Sequence, residues 1–103
     1  MDKANSRIAV IGIIIENREM AGKINELLHQ YSRFIIGRMG IPYEKKQVNI
    51  ISVVLDAPSD VISALAGKLG RLPGVSSKAI YSRETSSEKG RDRGMEGDSK
   101  NGV

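Results

Sequence analysis

Cysteine is absent from this chain of 103 residues, and so is tryptophan. Without cysteine there are no disulfides, no thiolate metal ligands and no thiol nucleophile. The absence also suits a reducing compartment. Histidine occurs once, at His29. A zinc-type centre draws on several ligands, so no metal is expected, and His29 reads as a solvent-facing residue off the apolar stripe of its helix. Long apolar stretches are missing too. The run IAVIGIII, residues 8–15, falls far short of the roughly 20 residues of a membrane span and follows no signal-peptide pattern. A cytoplasmic, soluble protein without membrane contact is expected.

The groupings that carry catalysis are also missing. There is no Ser-His-Asp arrangement and no glycine loop built to cradle phosphate. Glu16 and Asp56 end two strands that read as central and antiparallel, so they fall at opposite ends of the sheet and form no acid–base pair. Glu19 and Asp60 fall in first helical turns, where a carboxylate complements the macrodipole. No nucleophile–base pair can be assembled. An enzyme is therefore not expected, no catalytic residue is assigned, and no cofactor is implied.

The chain carries a net charge of +4. All of it lies in residues 1–82, with 11 Lys/Arg against 7 Asp/Glu; residues 83–103 carry five of each. A charge of this size speaks first to solubility. After Tyr81 the composition turns to Gly, Ser and alternating charges, too poor in apolar side chains to offset the entropy of ordering. Residues 83–103 are expected to form a disordered polar tail, and Met1–Ser6 to fray. The folded domain is expected over 7–82.

Within that domain, RIAVIGIIIE (7–16) and VNIISVVLD (48–56) are short β-branched runs, apolar on both faces, as in strands covered on both sides. NREMAGKINELLHQY (17–31) changes period: Met20, Ile24, Leu27, Leu28 and Tyr31 share one helical face, with Asn17 as N-cap. A second helix is expected over 57–70, with Pro58 in its first turn, a stripe of Val61, Leu65, Lys68 and Leu69, and Gly70 as its stop. EKKQ (44–47) and RLPGV (71–75) read as turns, the latter with Gly70 and Gly74 permitting special backbone angles around Pro73, and VSSKAIYS (75–82) as a last strand. The remaining strand, 33–43, contains Gly37, Gly40 and Pro42, which weaken a strand interior and belong at an edge or a bulge. Gly12, Gly22 and Gly67 are expected where elements pack closely. The order βαββαβ predicts an α+β, ferredoxin-like sandwich. Its four-stranded antiparallel sheet has spatial order 4-1-3-2, with two helices on one face.

That topology has a consequence for the other face. One parity of the first strand holds Ile8, Val10 and Ile14; the other holds Ala9, Ile11, Ile13 and Ile15. Whichever set meets the helices, the second leaves an apolar patch, and such patches mark interaction surfaces. A homo-oligomer, dimer or tetramer, is expected, burying the open sheet face or extending the sheet through an edge.

The basic residues Arg33, Arg38, Lys45, Lys46 and Arg71 are candidates for anion or nucleic-acid contact, with Tyr43 able to stack a base beside them. Edge-strand lysines also discourage aggregation, and Lys68 and Arg71 complement a helix C-terminus. No nucleic-acid-binding motif is present.

The segments RIAVIGIIIENRE, YSRFIIGRMGIPY and NIISVVLDAPSDVISALAGKLGRLPGV together resemble the small proteins labelled iron-only hydrogenase system regulators. IIGRMGIPY and SALAGKLGRLPGV are the most specific pieces, and the resemblance spans about residues 7–82. That family stands near the ACT-like domains and is similar to the C-terminal domain of nickel-responsive regulators. The resemblance implies a βαββαβ regulatory domain that associates with itself and binds a small-molecule effector or a protein partner. By analogy with ACT domains it places the effector surface at the first strand–helix turn, on Glu16, Asn17, Arg18, Glu19, Met20, Ala21 and Gly22, against a neighbouring subunit. The histidine and cysteine metal ligands of nickel-responsive regulators have no counterpart here. The alternative is a regulator acting on DNA or RNA through the basic residues above.

Overall fold

The two β-branched runs lie side by side at the centre of one sheet. In the computed structural model, which describes residues 6–83, β1 (Ser6–Ile15) pairs antiparallel with β3 (Val48–Pro58), Ile11 opposite Val53 and Ile13 opposite Ile51. The expectations for residues 1–5 and for the tail from residue 84 lie outside the described residues. Between β1 and β3 come α1 (Ala21–Gln30) and β2 (Ile35–Tyr43); after β3 come α2 (Ser59–Gly70) and β4 (Val75–Tyr81). The strand order is β2-β3-β1-β4, antiparallel throughout. This is the expected ferredoxin-like sheet, with the strand rich in glycine and proline at one edge.

Register decides which parity is buried. Ala9, Ile11, Ile13 and Ile15 of β1 face the helices with Val53, Leu55 and Ala57 of β3, all nearly inaccessible. Ile24 and Leu28 of α1 and Ile62, Leu65 and Leu69 of α2 close over them. Each Leu or Ile buried in this way contributes about 1.5–3 kcal/mol. The core is one layer of helix on one layer of sheet, and no buried polar or charged side chain interrupts it among the described residues.

The ends of the elements differ from expectation in instructive ways. β1 begins at Ser6, within the stretch expected to fray, and Ser6 pairs with Pro58. Pro58 is the last residue of β3 and precedes α2 in extended conformation (ψ 150°), because pairing of Ala57 and Pro58 with β1 holds the chain extended over the first two residues of the expected helix. Asn17 does cap, but it caps a 3-10 turn, Arg18–Met20, accepting from the Glu19 N–H at 3.0 Å. The α-helix starts only at Ala21. α2 does stop at Gly70, and of the two glycines around Pro73 only Gly74 takes a left-handed conformation (φ 73°). Another 3-10 turn, Ser32–Phe34, shortens the start of β2. A register shift between Ile35 and Gly37 marks the bulge that glycine signals at an edge.

Close packing does not explain three of the glycines. A Cβ on Gly12 or Gly22 would meet no atom within 4 Å, and one on Gly67 would make only an ordinary contact with Arg71. Gly12 lies on the open sheet face and Gly22 on the exposed side of α1, so no neighbouring helix backbone demands the missing side chain at either position.

Candidate functional site

Two surfaces stand out once the core is closed. The first is the sheet face turned away from the helices. Register places Ile8, Val10, Gly12 and Ile14 of β1 there beside Asp56, Val54, Ser52 and Ile50 of β3. β2 adds Met39, Ile41 and Tyr43, and β4 adds Ile80 and Lys78. Ile14 is 46% exposed, Met39 59% and Ile80 70%. Among the described residues, six of the seven exposed large hydrophobic side chains lie on this face; the seventh, Ile36, sits in the bulge. The patch crosses all four strands, and its charges are confined to Lys78 and Asp56.

The second surface is a cleft on the helix side, between α1 and β2. The helices cover β1 and β3 but stop short of the edge strand, so every β2 residue from Ile36 to Tyr43 is exposed. The space left is about 300 Å³. Its apolar walls come from Ile15, Ala21, Ile24, Ile51 and Pro42, and its polar groups are Asn25, Arg38 and Asn49. Arg38 reaches from β2 to α1 and donates to Asn25 Oδ1 at 2.9 Å. Gly40 lies on the cleft side of β2, opposite Ile51, with nothing within 4 Å of where its Cβ would be.

The expected effector turn adjoins this cleft and is tied down. The Gly74 carbonyl accepts from the N–H groups of Glu16 and Asn17. The Asn17 side chain is occupied by its cap, Arg18 bridges to Glu44 at 3.3 Å, and Met20 packs against the core. Glu16, Glu19 and Gly22 are exposed, and Ala21 is the residue the turn shares with the cleft.

The five basic candidates are not brought together. Lys45 and Lys46 end the 3-10 turn between β2 and β3. Arg71 follows α2 beside β4, at the opposite edge of the sheet. Arg33 lies at the far end of β2, over the Phe34 ring. Arg38 alone points into a concave surface. Asp56 stands opposite Ile8, while Ile15, next to Glu16, stands opposite Asn49, which keeps the two carboxylates at opposite ends of the strands. Among the described residues no group of three His, Cys, Asp or Glu could hold a metal ion, and no helix is long and apolar enough to cross a membrane.

Sequence reasoning singled out Arg38 but missed the two asparagines that share its cleft. Asn25 and Asn49 carried no motif, and the only sequence signal for the cleft was the pair of glycines that thins β2.

The family model TM1266-like, "Iron-only hydrogenase system regulator, putative", matches residues 7–79. The chain is also similar to the solved structure of the uncharacterized protein TM1266 from Thermotoga maritima. The two are 39% identical, with a TM-score of 0.72, over 76% of this chain and 99% of that one. No curated protein gives a significant match.

Proposed function

Because this chain belongs to the TM1266-like family of iron-only hydrogenase system regulators, we propose that it is an ACT-like regulatory module that self-associates through its open sheet face. Assembly and effector or partner binding are linked: whichever assembly state binds the effector more tightly is the one the effector populates. The role proposed is regulatory, in keeping with the family's description.

The observation that carries this reading is the concentration of exposed Ile, Met and Tyr side chains on one sheet face. Four strands spaced about 4.8 Å apart and seven residues of β1 at about 3.3 Å each make a patch roughly 20 Å on a side. At about 400 Å² it is the size of apolar patches that mark interaction sites and about half of what each partner buries in a standard-size interface. A second copy is the natural occupant, since a two-fold arrangement repeats every favourable contact. A continuous apolar patch left in water is also an aggregation liability unless something covers it.

Sedimentation equilibrium tests the reading. The wild-type chain is expected to be a dimer or tetramer at micromolar concentration. Ile14→Lys together with Met39→Lys is expected to give a monomer with an unchanged far-ultraviolet circular dichroism spectrum. A wild-type monomer across that range overturns self-association.

A further inference from the structure

We propose that the α1–β2 cleft is the effector site and that it takes a small carboxylate with an aliphatic body, recognised by Arg38. The site deepens the regulatory reading and rests on it for its purpose, but the binding itself stands on the geometry of the cleft.

Three features point to this ligand class. The first is charge. Arg38 is held by a single neutral partner, Asn25 Oδ1, and among the described residues no carboxylate lies within ion-pairing distance of it. A guanidinium offers five N–H donors in a fork that matches a carboxylate, and the bond to Asn25 leaves most of them free. The second is the polarity of the neighbours. Because the Asn25 oxygen accepts from Arg38, its NH₂ group is left to donate. The half-buried Asn49 side chain lines the same cleft and makes no hydrogen bond among the described residues. Arg38 and the Asn25 amide thus present donors to the cleft, Asn49 adds an amide able to donate or accept, and a carboxylate is the acceptor that suits the guanidinium best. The third is size and wall chemistry. A volume of about 300 Å³ is at the lower limit of ligand pockets, and Ile15, Ile24, Ile51 and Pro42 offer an aliphatic lining.

The lining also discriminates. It contains no Asp or Glu, so nothing there neutralises an ammonium group. A plain carboxylate should bind better than the α-amino acid of the same skeleton, which would carry a cation toward Arg38 without a counter-charge.

Gly40 fits this account. A Cβ at that position would stand on the cleft side with no atom within 4 Å. Glycine here leaves the space open at the cost of a weaker strand, and it supplies a variant that fills the site without disturbing the core.

The test is a titration of the full chain, followed by nitrogen-15 NMR, with 4-methylpentanoate, 4-methylpentanamide and leucine, three molecules on one carbon skeleton. The expected result is saturable shifts at Gly40 and at the side-chain amides of Asn25 and Asn49 with 4-methylpentanoate, none with the amide, and binding about tenfold weaker with leucine. Arg38→Met is expected to weaken binding at least about tenfold. Gly40→Leu is expected to abolish it while the remaining spectrum and the urea midpoint are retained. No saturable shift up to about 10 mM, where a Kd near 1 mM would show, overturns the proposal. So does equal binding of the amide, binding of leucine as tight as that of the carboxylate, or unchanged binding in both variants. Sedimentation of the same samples reads self-association separately, so loss of one property leaves the other measurable.

Discussion

Gly74 is pressed against Asn17: a Cβ on Gly74 would stand 2.6 Å from the Cβ of Asn17 and 3.1 Å from its backbone nitrogen. Gly74 also has a φ of 73°, which L side chains rarely adopt. The turn after α2 is thereby locked to the turn after β1, through the Gly74 carbonyl and the N–H groups of Glu16 and Asn17, at 2.8 and 3.3 Å. Gly74→Ala combines a strained backbone with a contact that backbone atoms cannot yield. It is expected to destabilise the fold by roughly 2–4 kcal/mol, read as a fall in urea midpoint at unchanged m-value. A loss below about 0.5 kcal/mol would show that the two turns are not locked as described.

Gly22 presents the opposite case. It lies inside α1, and a Cβ there meets nothing within 4 Å. Gly22→Ala is expected to stabilise by about 0.5–1 kcal/mol, because alanine loses less backbone entropy on entering a helix. For a domain of this size that raises the thermal midpoint by about 2–8 °C. A lower midpoint would mean that something covers this position, a neighbouring subunit being the first candidate to examine.

Ser77 ties β4 to α2. Its hydroxyl donates to the Ala66 carbonyl at 2.7 Å, and a Cβ on Gly70 would stand 3.3 Å from the Ser77 Oγ. Ser77→Ala is expected to cost about 1 kcal/mol. Gly70→Ala should cost less in the Ser77→Ala background than alone, since the crowded oxygen is then gone. A double-mutant cycle by urea denaturation measures the difference, expected at about 0.5 kcal/mol or more. Strict additivity would remove Ser77 from contact with the end of α2.

Much of the fold could be read in the residues themselves, for physical reasons that are local. β-branched runs apolar on both faces mark the central strands, and the 3.6-residue spacing of Met20, Ile24, Leu27 and Leu28 marks a helix. Gly37, Gly40 and Pro42 mark an edge. The ends of the elements were less legible because pairing overrides propensity there: Pro58 stays in β3 opposite Ser6, and Asn17 caps a 3-10 turn before the α-helix begins. Of the two glycines expected to take special backbone angles around Pro73, the left-handed one is Gly74, one turn beyond the helix stop at Gly70.

The candidate site was legible only in part. Arg38 drew notice as a cation between two glycines in an edge strand. Asn25, thirteen residues earlier, and Asn49, on the next strand, look like ordinary polar residues until the sheet sets them around one space. The same holds for the open face, where an apolar surplus is visible along each strand but its continuity across four strands is a property of register.

The sequence alone determined the element order, the central and edge strands and the existence of an unused apolar face, because each follows from periodicities of two or 3.6 residues along a short segment. Tertiary structure decided which parity is buried, where the helical layer ends, and so that Arg38, Asn25 and Asn49 meet in a cleft. Those outcomes depend on contacts between residues far apart in the chain, whose geometry is set when helices of fixed width settle on a sheet one strand too broad for them to cover.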